Sequence, residues 1–188
     1  MQTTETFLIG AISKNGIYGF GRKSHGQIPW KSTIDMGFFR DQTTGNEVAM
    51  SSGMWEALPE KYCPLSNRGN IIITRQADYP LEEKYRDAGV CIAKSAEEAK
   101  EIAKGKKLYF AGGPDLWYGA VHSVDVLLIN VIGIDVEEPP GVEVVKFPHL
   151  MDPTKLWSEF IIDDRHTEKE KKNDGTTFPI EFRRYIRQ

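Results

Sequence analysis

The chain has few of the residues that build disulfide frameworks or metal centres. Among its 188 residues there are two cysteines and four histidines. Cys63 lies between Tyr62 and Pro64, whereas Cys91 lies in an apolar, strand-like segment, so a disulfide framework is not indicated. The histidines are scattered along the chain. We therefore expect no metal site.

Long apolar runs and blocks of one charge are also absent. No run reaches the ~20 residues of a membrane-spanning helix, and residues 1–6 lack the basic and apolar regions of a signal peptide. The net charge of −3 comes from interleaved acids and bases. The largest charged run, EKEKK at 168–172, predicts the solvated tip of a hairpin. We expect a cytoplasmic protein whose partners are neither nucleic acids nor membranes.

The length and the apolar pattern predict one α/β domain. No repeat or low-complexity linker divides the 188 residues. Short continuous apolar segments predict buried strands at residues 7–12, 48–50, 70–74, 90–93, 107–111 and 124–134. Helical segments alternate with them, and strands at 157–163 and 177–186 follow. The sequence therefore predicts a single domain over residues 1–188, with a mostly parallel central sheet, helices on both faces and a C-terminal antiparallel hairpin.

Asp35 is notable because its carboxylate lies among apolar residues at the start of a predicted helix, in the segment IPWKSTIDMGFF at 28–39. Ser32 or Thr33 can cap this helix, and Ser32 and Asp35 have the spacing of a capping box. Phe38 and Phe39 share the helix face of Asp35. Such a face suits a flat ring rich in nitrogen. A first-turn acid that is merely favoured by the helix dipole would have the same pattern.

Glycine-rich and small-residue segments follow several predicted strands. Residues 13–27 contain four glycines and indicate either a lid or a long flexible connection. The second strand leads into Ser51-Ser52-Gly53 and a short helix, which is typical of a phosphate site but weak by itself. Gly112 and Gly113 follow another strand. They make a tight turn or let a cofactor approach the backbone.

Together these motifs resemble the dihydrofolate reductase family over nearly the whole chain. The family has an apolar residue before Pro-Trp, here Ile28-Pro29-Trp30, and a single acid on the next helix, here Asp35. Phe39 matches the family's aromatic residue against the pterin, and Thr43 matches a threonine near the end of that helix. Arg68 precedes a strand, as does the family's arginine that holds the glutamate carboxylate of folate.

Some positions depart from the family pattern. Ser51-Ser52 replaces Gly-Arg, whose arginine reaches the 2′-phosphate of the cofactor, although Thr74-Arg75 still matches the other side of that phosphate site. Asn130 aligns with the threonine that bonds to the catalytic acid. Trp117 replaces an aromatic residue that is usually tyrosine.

The resemblance implies a full set of site residues. Asp35 and Trp30 are expected in catalysis. The expected substrate-binding residues are Ile9, Ala11, Ile28, Phe39, Leu65, Arg68 and Asn130. The expected cofactor-binding residues are Ala11, Ile17, Gly19, Ser51, Ser52, Gly53, Met54, Thr74, Arg75, Ala111, Gly112, Gly113, Asp115, Leu116 and Trp117. In the family the paired glycines are joined by a cis peptide bond, which is therefore expected here too.

The implied activity is the reduction of 7,8-dihydrofolate to tetrahydrofolate with NADPH, by hydride transfer to C6 and protonation at N5. This reaction belongs to one-carbon metabolism, and the resemblance also implies a monomer. Two alternatives remain open: a reductase of the same fold acting on another heterocycle, such as the pyrimidine reductase of riboflavin synthesis, and a catalytically idle protein that binds a pterin or a dinucleotide. Arg68 together with Asp35 favours a pterin with a carboxylated tail over a ribityl phosphate.

Overall fold

The computed structural model describes residues 4–21, 28–147 and 159–188. Its internal contacts divide the chain into two compact units, of which the first contains Met1–Leu8 and Asp41–Asp125 and the second contains Ile9–Arg40 and Val126–Gln188. The single domain expected from the sequence stays a prediction. No helix in the described ranges has the length and apolar character needed to cross a membrane.

Strands and helices alternate through the first two thirds of the chain. In order they are β1 (Thr6–Ser13), β2 (Ile17–Phe20), α1 (Thr33–Thr43), β3 (Glu47–Ser51), α2 (Ser52–Ala57), β4 (Gly69–Ile73), α3 (Glu83–Asp87), β5 (Cys91–Ala93), α4 (Ala96–Ala103), β6 (Leu108–Gly112), α5 (Pro114–Ala120), β7 (Val126–Ile132), β8 (Val144–Lys146), β9 (Phe160–Lys171) and β10 (Thr177–Arg187). Single 3-10 turns lie at Glu60–Tyr62 and Val121–Ser123.

The first unit contains a parallel sheet in the strand order β5-β4-β3-β6-β1. Its strands are apolar and buried, and β6 is buried at every residue, as expected for strands covered on both faces. Ser51 lies opposite Ile73, and Met50 lies opposite Gly112. Because parallel strands end at the same edge of a sheet, the carboxyl ends of β3, β4 and β6 lie side by side.

The second unit is antiparallel where its pairings are defined. β10 pairs with β7 on one side and with β9 on the other, and β2 pairs with β8. Phe182 of β10 lies opposite Asn130 of β7 and opposite His166 of β9. An apolar cluster fills this unit and consists of Trp30, Ile132, Phe178, Ile180 and Phe182.

Most of the predicted strands are present with bounds changed by one or two residues. The strand predicted at 157–163 is wrong in its end, because β9 continues to Lys171, and β8 is not predicted. Two loop predictions are also wrong in part. The segment 13–27 contains strand β2, and its residues 22–27 lie outside the described residues. The charged run 168–172 is not the hairpin tip, because β9 continues to Lys171 and β10 begins only at Thr177. Alternating charges suit the exposed face of a strand as well as they suit a turn. The predicted start of the hairpin, residues 157–158, also lies outside the described residues.

Candidate active site

Helix α1 begins where the sequence predicts, and Ser32 caps it. The Ser32 hydroxyl accepts a hydrogen bond from the Asp35 backbone N–H at 2.9 Å, and the Ser32 carbonyl accepts one from the Met36 N–H at 3.2 Å. This is one half of a capping box. Within the described residues, the Asp35 carboxylate bonds to β7 rather than back to Ser32. The cap therefore fixes the backbone of Asp35 and leaves its side chain to a more distant partner.

That partner is Asn130 on β7. Its Nδ2 donates a hydrogen bond to Asp35 Oδ1 at 2.7 Å. Asn130 is only 2% exposed, and its Oδ1 has no hydrogen-bond partner in the described part of the chain. The buried indole Nε1 of Trp30 has none there either. A buried acceptor and a buried donor that both lie by this carboxylate suit a polar ring with groups of both kinds.

The pKa of the Asp35 carboxyl is raised above its ordinary value, chiefly because burial disfavours the charged form. The hydrogen bond from Asn130 acts in the opposite direction, and so does the Trp30 indole, although its N–H forms no hydrogen bond of normal geometry. Repulsion from the Glu170 carboxylate raises the pKa further. The net direction is upward. Asp35 therefore keeps its proton at a higher pH than an exposed aspartate.

Sequence reasoning misses Glu170, a second carboxylate, which contacts the start of α1 from another element. Glu170 lies on β9 and is 9% exposed. It accepts hydrogen bonds from the side chains and backbone of three successive residues of α1 and its cap, Ser32, Thr33 and Ile34. The contact joins positions up to 138 residues apart. Strand alternation gives no signal for it, because Glu168 and Lys172, two positions away on either side, are exposed.

The apolar surroundings of Asp35 come partly from residues that the sequence singles out. Trp30 belongs to the apolar cluster of the second unit, and Ala11 and Phe38 pack against that cluster. The ring centroids of Phe38 and Phe182 are 4.9 Å apart. Phe39, the expected neighbour of the pterin, is half-buried on the same helix, and its role stays a prediction.

The other positions expected in the second unit differ in exposure. Ile9 on β1 and Ile17 on β2 are fully buried, whereas Ile28 is 61% exposed. Gly19 lies opposite Val145 in the β2–β8 pair. Ile28 has an exposed apolar side chain in the loop before α1, which is compatible with ligand contact. The binding roles of all four stay predictions.

Arg68 and Leu65 belong to the first unit and lie in one braced loop. The Asn70 side chain holds this loop, because its Oδ1 accepts from Leu65 N–H at 2.9 Å and its Nδ2 donates to the Leu65 carbonyl at 3.0 Å. Arg68 Nε donates to the Ser66 carbonyl at 2.9 Å, and one terminal nitrogen donates to the Thr43 hydroxyl at 3.2 Å. These contacts fix the plane of the guanidinium, as bidentate recognition of a carboxylate requires.

The predicted phosphate side lies at the carboxyl edge of the parallel sheet. Ser51 caps α2, with its hydroxyl accepting from the Met54 N–H at 3.2 Å. Thr74 is buried, and its hydroxyl accepts from the Gln76 N–H at 3.2 Å, whereas Arg75 between them is exposed.

Lys94 braces the same turn and is missing from the predicted set. Its Nζ donates to the carbonyls of Gln76 at 2.8 Å and Ala77 at 3.2 Å. A lysine that follows a short strand gives no sequence signal for this contact. Lys94 therefore places a second cation close to the turn that carries Arg75.

The paired glycines are required by the backbone. Gly112 and Gly113 have φ values of 141° and 69°, and a Cβ at position 113 would lie 2.3 Å from Ser51 Oγ. Only glycine allows the ends of β3 and β6 to approach in this way. The expected cis bond between the two glycines is wrong, because the cis bond found in the described ranges joins Cys63 to Pro64. The side-chain-free backbone fits the approach of a dinucleotide.

The remaining predicted cofactor positions lie close in sequence to the carboxyl ends of β3 and β6. They comprise the half-buried Ser52, Gly53, Met54 and Leu116, the buried Ala111 and Trp117, and the exposed Asp115. Their individual roles stay predictions. Within the described residues, no three His, Cys, Asp or Glu side chains are grouped so that they could hold a metal ion.

Comparisons with known proteins point to one family. The family model for dihydrofolate reductase matches residues 5–187. A dihydrofolate reductase from Neisseria meningitidis serogroup A is 30% identical over 181 residues, which cover 96% of each chain. One from Mycobacterium tuberculosis is 36% identical over 92 residues, or 49% of this chain and 51% of that one. The solved structure of a dihydrofolate reductase from Enterococcus faecalis, complexed with NADP(H) and RAB-propyl, has a TM-score of 0.74 at 22% identity and covers 98% of this chain and 96% of its own.

The fold and these matches define an α/β oxidoreductase that uses NADPH. The chain belongs to the dihydrofolate reductase family, which confirms the resemblance identified from the sequence. The structural similarity confirms the predicted fold class.

Proposed function

We propose that this protein reduces 7,8-dihydrofolate to tetrahydrofolate with NADPH, and that Asp35 is its catalytic acid. Family membership supports the reaction, and the observation that supports the residue is the 2.7 Å hydrogen bond from Asn130 to the Asp35 carboxylate. A carboxylate that is partly buried, capped at its backbone and held at one oxygen has a fixed direction. Such a group can select one face and one edge of a ring.

The two carboxylate oxygens of Asp35 accept hydrogen bonds from the 2-amino group and the adjacent ring nitrogen of the pterin. Asn130 holds one of these oxygens, and its free Oδ1 offers a further acceptor for a ligand N–H or a water. The raised pKa of Asp35 favours the protonated state of the complex. Protonation at N5, delivered through a water, then becomes easier. Bound NADPH supplies the hydride for C6.

The chain's own residues that fit the cofactor lie at the carboxyl edge of the parallel sheet. Gly112 and Gly113 leave the backbone open, and Thr74 and Arg75 provide a hydroxyl and a cation at the next strand end. Ser51 is used as a helix cap, so its hydroxyl has only partial freedom to bind phosphate.

The direct test is an absorbance assay of NADPH oxidation with dihydrofolate as substrate. Turnover with dihydrofolate, and none with the aminopyrimidine substrate of riboflavin synthesis, supports the proposal. Turnover of the aminopyrimidine alone favours the related reductase. Tight binding of dihydrofolate or NADPH without turnover favours the idle binding protein.

We expect Arg75→Ala to reduce the preference for NADPH over NADH. Losing one charged hydrogen bond costs about 1.5–3 kcal/mol, so kcat/KM with NADPH falls roughly ten- to a hundredfold. NADH carries no 2′-phosphate, and its kcat/KM stays almost unchanged. The measurement is kcat/KM for both cofactors in the native protein and in the variant.

Lys104→Ala is the matched control, because it removes an equal charge from an exposed residue at the end of α4. It should leave the ratio of the two cofactors as it is in the native protein. If Arg75→Ala also leaves that ratio unchanged, the 2′-phosphate is bound by other residues, of which Lys94 is the first to examine.

The monomeric state and the cytoplasmic location remain parts of this proposal. Sedimentation of the purified protein with and without NADPH measures the first. Fractionation of the source cells measures the second.

A further inference from the structure

The start of α1 is held by a buried carboxylate from the opposite end of the chain. Glu170 Oε2 accepts from the Ser32 hydroxyl at 2.7 Å and from the Ile34 backbone N–H at 2.9 Å, while Oε1 accepts from the Thr33 hydroxyl at 2.9 Å. Both oxygens are thus used. Of the residues 161–171 on β9, Glu170 is the one with a buried side chain, so its inward direction is specific.

These bonds lead directly to Asp35. The Ser32 hydroxyl donates a hydrogen bond to Glu170 and accepts one from the Asp35 backbone N–H. Because the hydroxyl hydrogen of Ser32 points to Glu170, the lone pairs of the hydroxyl oxygen face the amide of Asp35. The Glu170 carboxylate therefore orients the cap that fixes the backbone of the catalytic acid.

The position of Glu170 is also electrostatically favourable for an ionised carboxylate. Burial by itself would raise its pKa, but the hydrogen bonds from Ile34, Ser32 and Thr33 outweigh burial, so the pKa of Glu170 lies below its ordinary value. The amides at the start of a helix add a favourable dipole. Glu170 is thus a negative charge at neutral pH, and it accepts a hydrogen bond from Ile34, the residue before Asp35.

We propose that Glu170 is a positioning residue for the reaction: it holds the backbone from which the Asp35 side chain projects, and it supplies a fixed negative charge that acts on the Asp35 carboxyl. This inference rests on the proposed role of Asp35. Glu170 does not contact substrate in this proposal, because its two oxygens are bound to the first turn of α1.

The groups acting on Asp35 come from three elements. They are Trp30 from the preceding loop, Asn130 from β7 and Glu170 from β9, and within the described residues Glu170 is the charged one among them. Its negative charge favours a proton on Asp35 or on the bound ring. Because the reaction consumes a proton, the rate falls as the pH rises above the apparent pKa of the complex. Removing the charge of Glu170 therefore moves this fall to lower pH.

The test is Glu170→Gln, which preserves the size of the side chain and removes its charge. We expect the pH profile of kcat/KM for dihydrofolate to move to lower pH, so that activity on its alkaline side falls roughly three- to tenfold. Glu168→Gln is the matched control, since it removes the same charge from an exposed side chain two residues away on β9. Its profile should match that of the native protein.

Two further variants separate position from charge. Ser32→Ala breaks the link between Glu170 and the Asp35 amide but retains both carboxylates, so kcat should fall while the pH profile stays in place. Glu170→Asp retains the charge on a shorter side chain, so kcat should again fall while the pH profile stays in place. If Glu170→Gln lowers the melting temperature without moving the pH profile, Glu170 is only a structural cap and the proposal is wrong. Should that variant fail to fold, unchanged kcat in both Ser32→Ala and Glu170→Asp overturns it instead.

The pKa of Asp35 can also be read without any activity. A carbon-13 NMR titration of the aspartate carboxyls, assigned with Asp35→Asn, follows Asp35 directly in the free protein. Its pKa should be lower in Glu170→Gln than in the native protein. If the native protein shows no turnover of dihydrofolate, the proposed function fails, while this titration still decides whether Glu170 acts on Asp35.

Discussion

Asp35→Asn should fold normally and lower turnover of dihydrofolate by roughly 10²–10⁴ at neutral pH, the usual range for a positioned acid–base group. Asparagine can still accept one hydrogen bond from Asn130, but it cannot accept two from the pterin or stabilise a protonated ring. The measurement is kcat and kcat/KM across the pH range, with NADPH in excess.

The rate of Asp35→Asn should partly recover in acid, because substrate then arrives already protonated. Asp41→Asn is the control, since it removes an exposed carboxylate from the last turn of the same helix. It should stay close to the native rate. Near-native turnover of Asp35→Asn at every pH would contradict the assignment of Asp35.

The same substitution has a defined effect on stability. The pKa of Asp35 is raised in the folded protein, so the ionised side chain destabilises the fold at pH values above this raised pKa. The penalty disappears as the pH falls through the folded value towards the ordinary value of an unfolded aspartate. Asp35→Asn should therefore be at least as stable as the native protein at neutral pH. Its advantage should vanish in acid, as thermal unfolding at several pH values can show.

Arg68→Ala should weaken the binding of dihydrofolate by roughly ten- to a hundredfold, the second largest effect that we expect. The reason is the loss of hydrogen bonds to a charged carboxylate, at about 1.5–3 kcal/mol. A dihydropterin that lacks the glutamate tail should bind the variant and the native protein almost equally. Isothermal titration with both ligands measures the difference.

Arg68 also has a structural role that must be separated from binding. Its contacts with Ser66 and Thr43 are lost in Arg68→Ala, so the variant should also lose some stability. Thr43→Val provides the control, because it removes the hydroxyl contact and keeps the guanidinium. Arg68→Lys keeps the charge but not the planar fork, and it should bind dihydrofolate only a little better than Arg68→Ala. Equal weakening of both ligands by Arg68→Ala would leave Arg68 with a structural role only.

The parts of the site that the sequence predicts are those encoded by neighbouring residues. Ser32 and Asp35 are three positions apart, so local helix chemistry was enough to place the cap and the acid. The strands of the parallel sheet and β7 follow from continuous apolar segments, whereas most of β9 is charged and does not. The hydrogen bond between Asn130 and Asp35 joins residues 95 positions apart, and only the family resemblance predicted it.

The parts that the sequence does not predict depend on distant pairing. The burial of Glu170 could not be predicted, because Glu170 lies in a charged run whose composition suits a turn and the outer face of a strand equally. Lys94 reaches the turn of Arg75 only because β4 and β5 are adjacent and parallel. The bond between Gly112 and Gly113 was expected to be cis from the family alone, since no local pattern distinguishes the two isomers.

The contact between Glu170 and the start of α1 can form only late in synthesis of the chain. The first turn of α1 leaves the ribosome almost 140 residues before the carboxylate that completes its cap. A nascent chain with α1 and the parallel sheet but without β9 therefore has a catalytic acid whose cap is unfinished. Domains acquire long-range contacts late, because the loop between the partners must close first. The acid site is consequently among the last parts of the molecule to mature, and truncation within β9 would remove its support without touching a single residue of the helix.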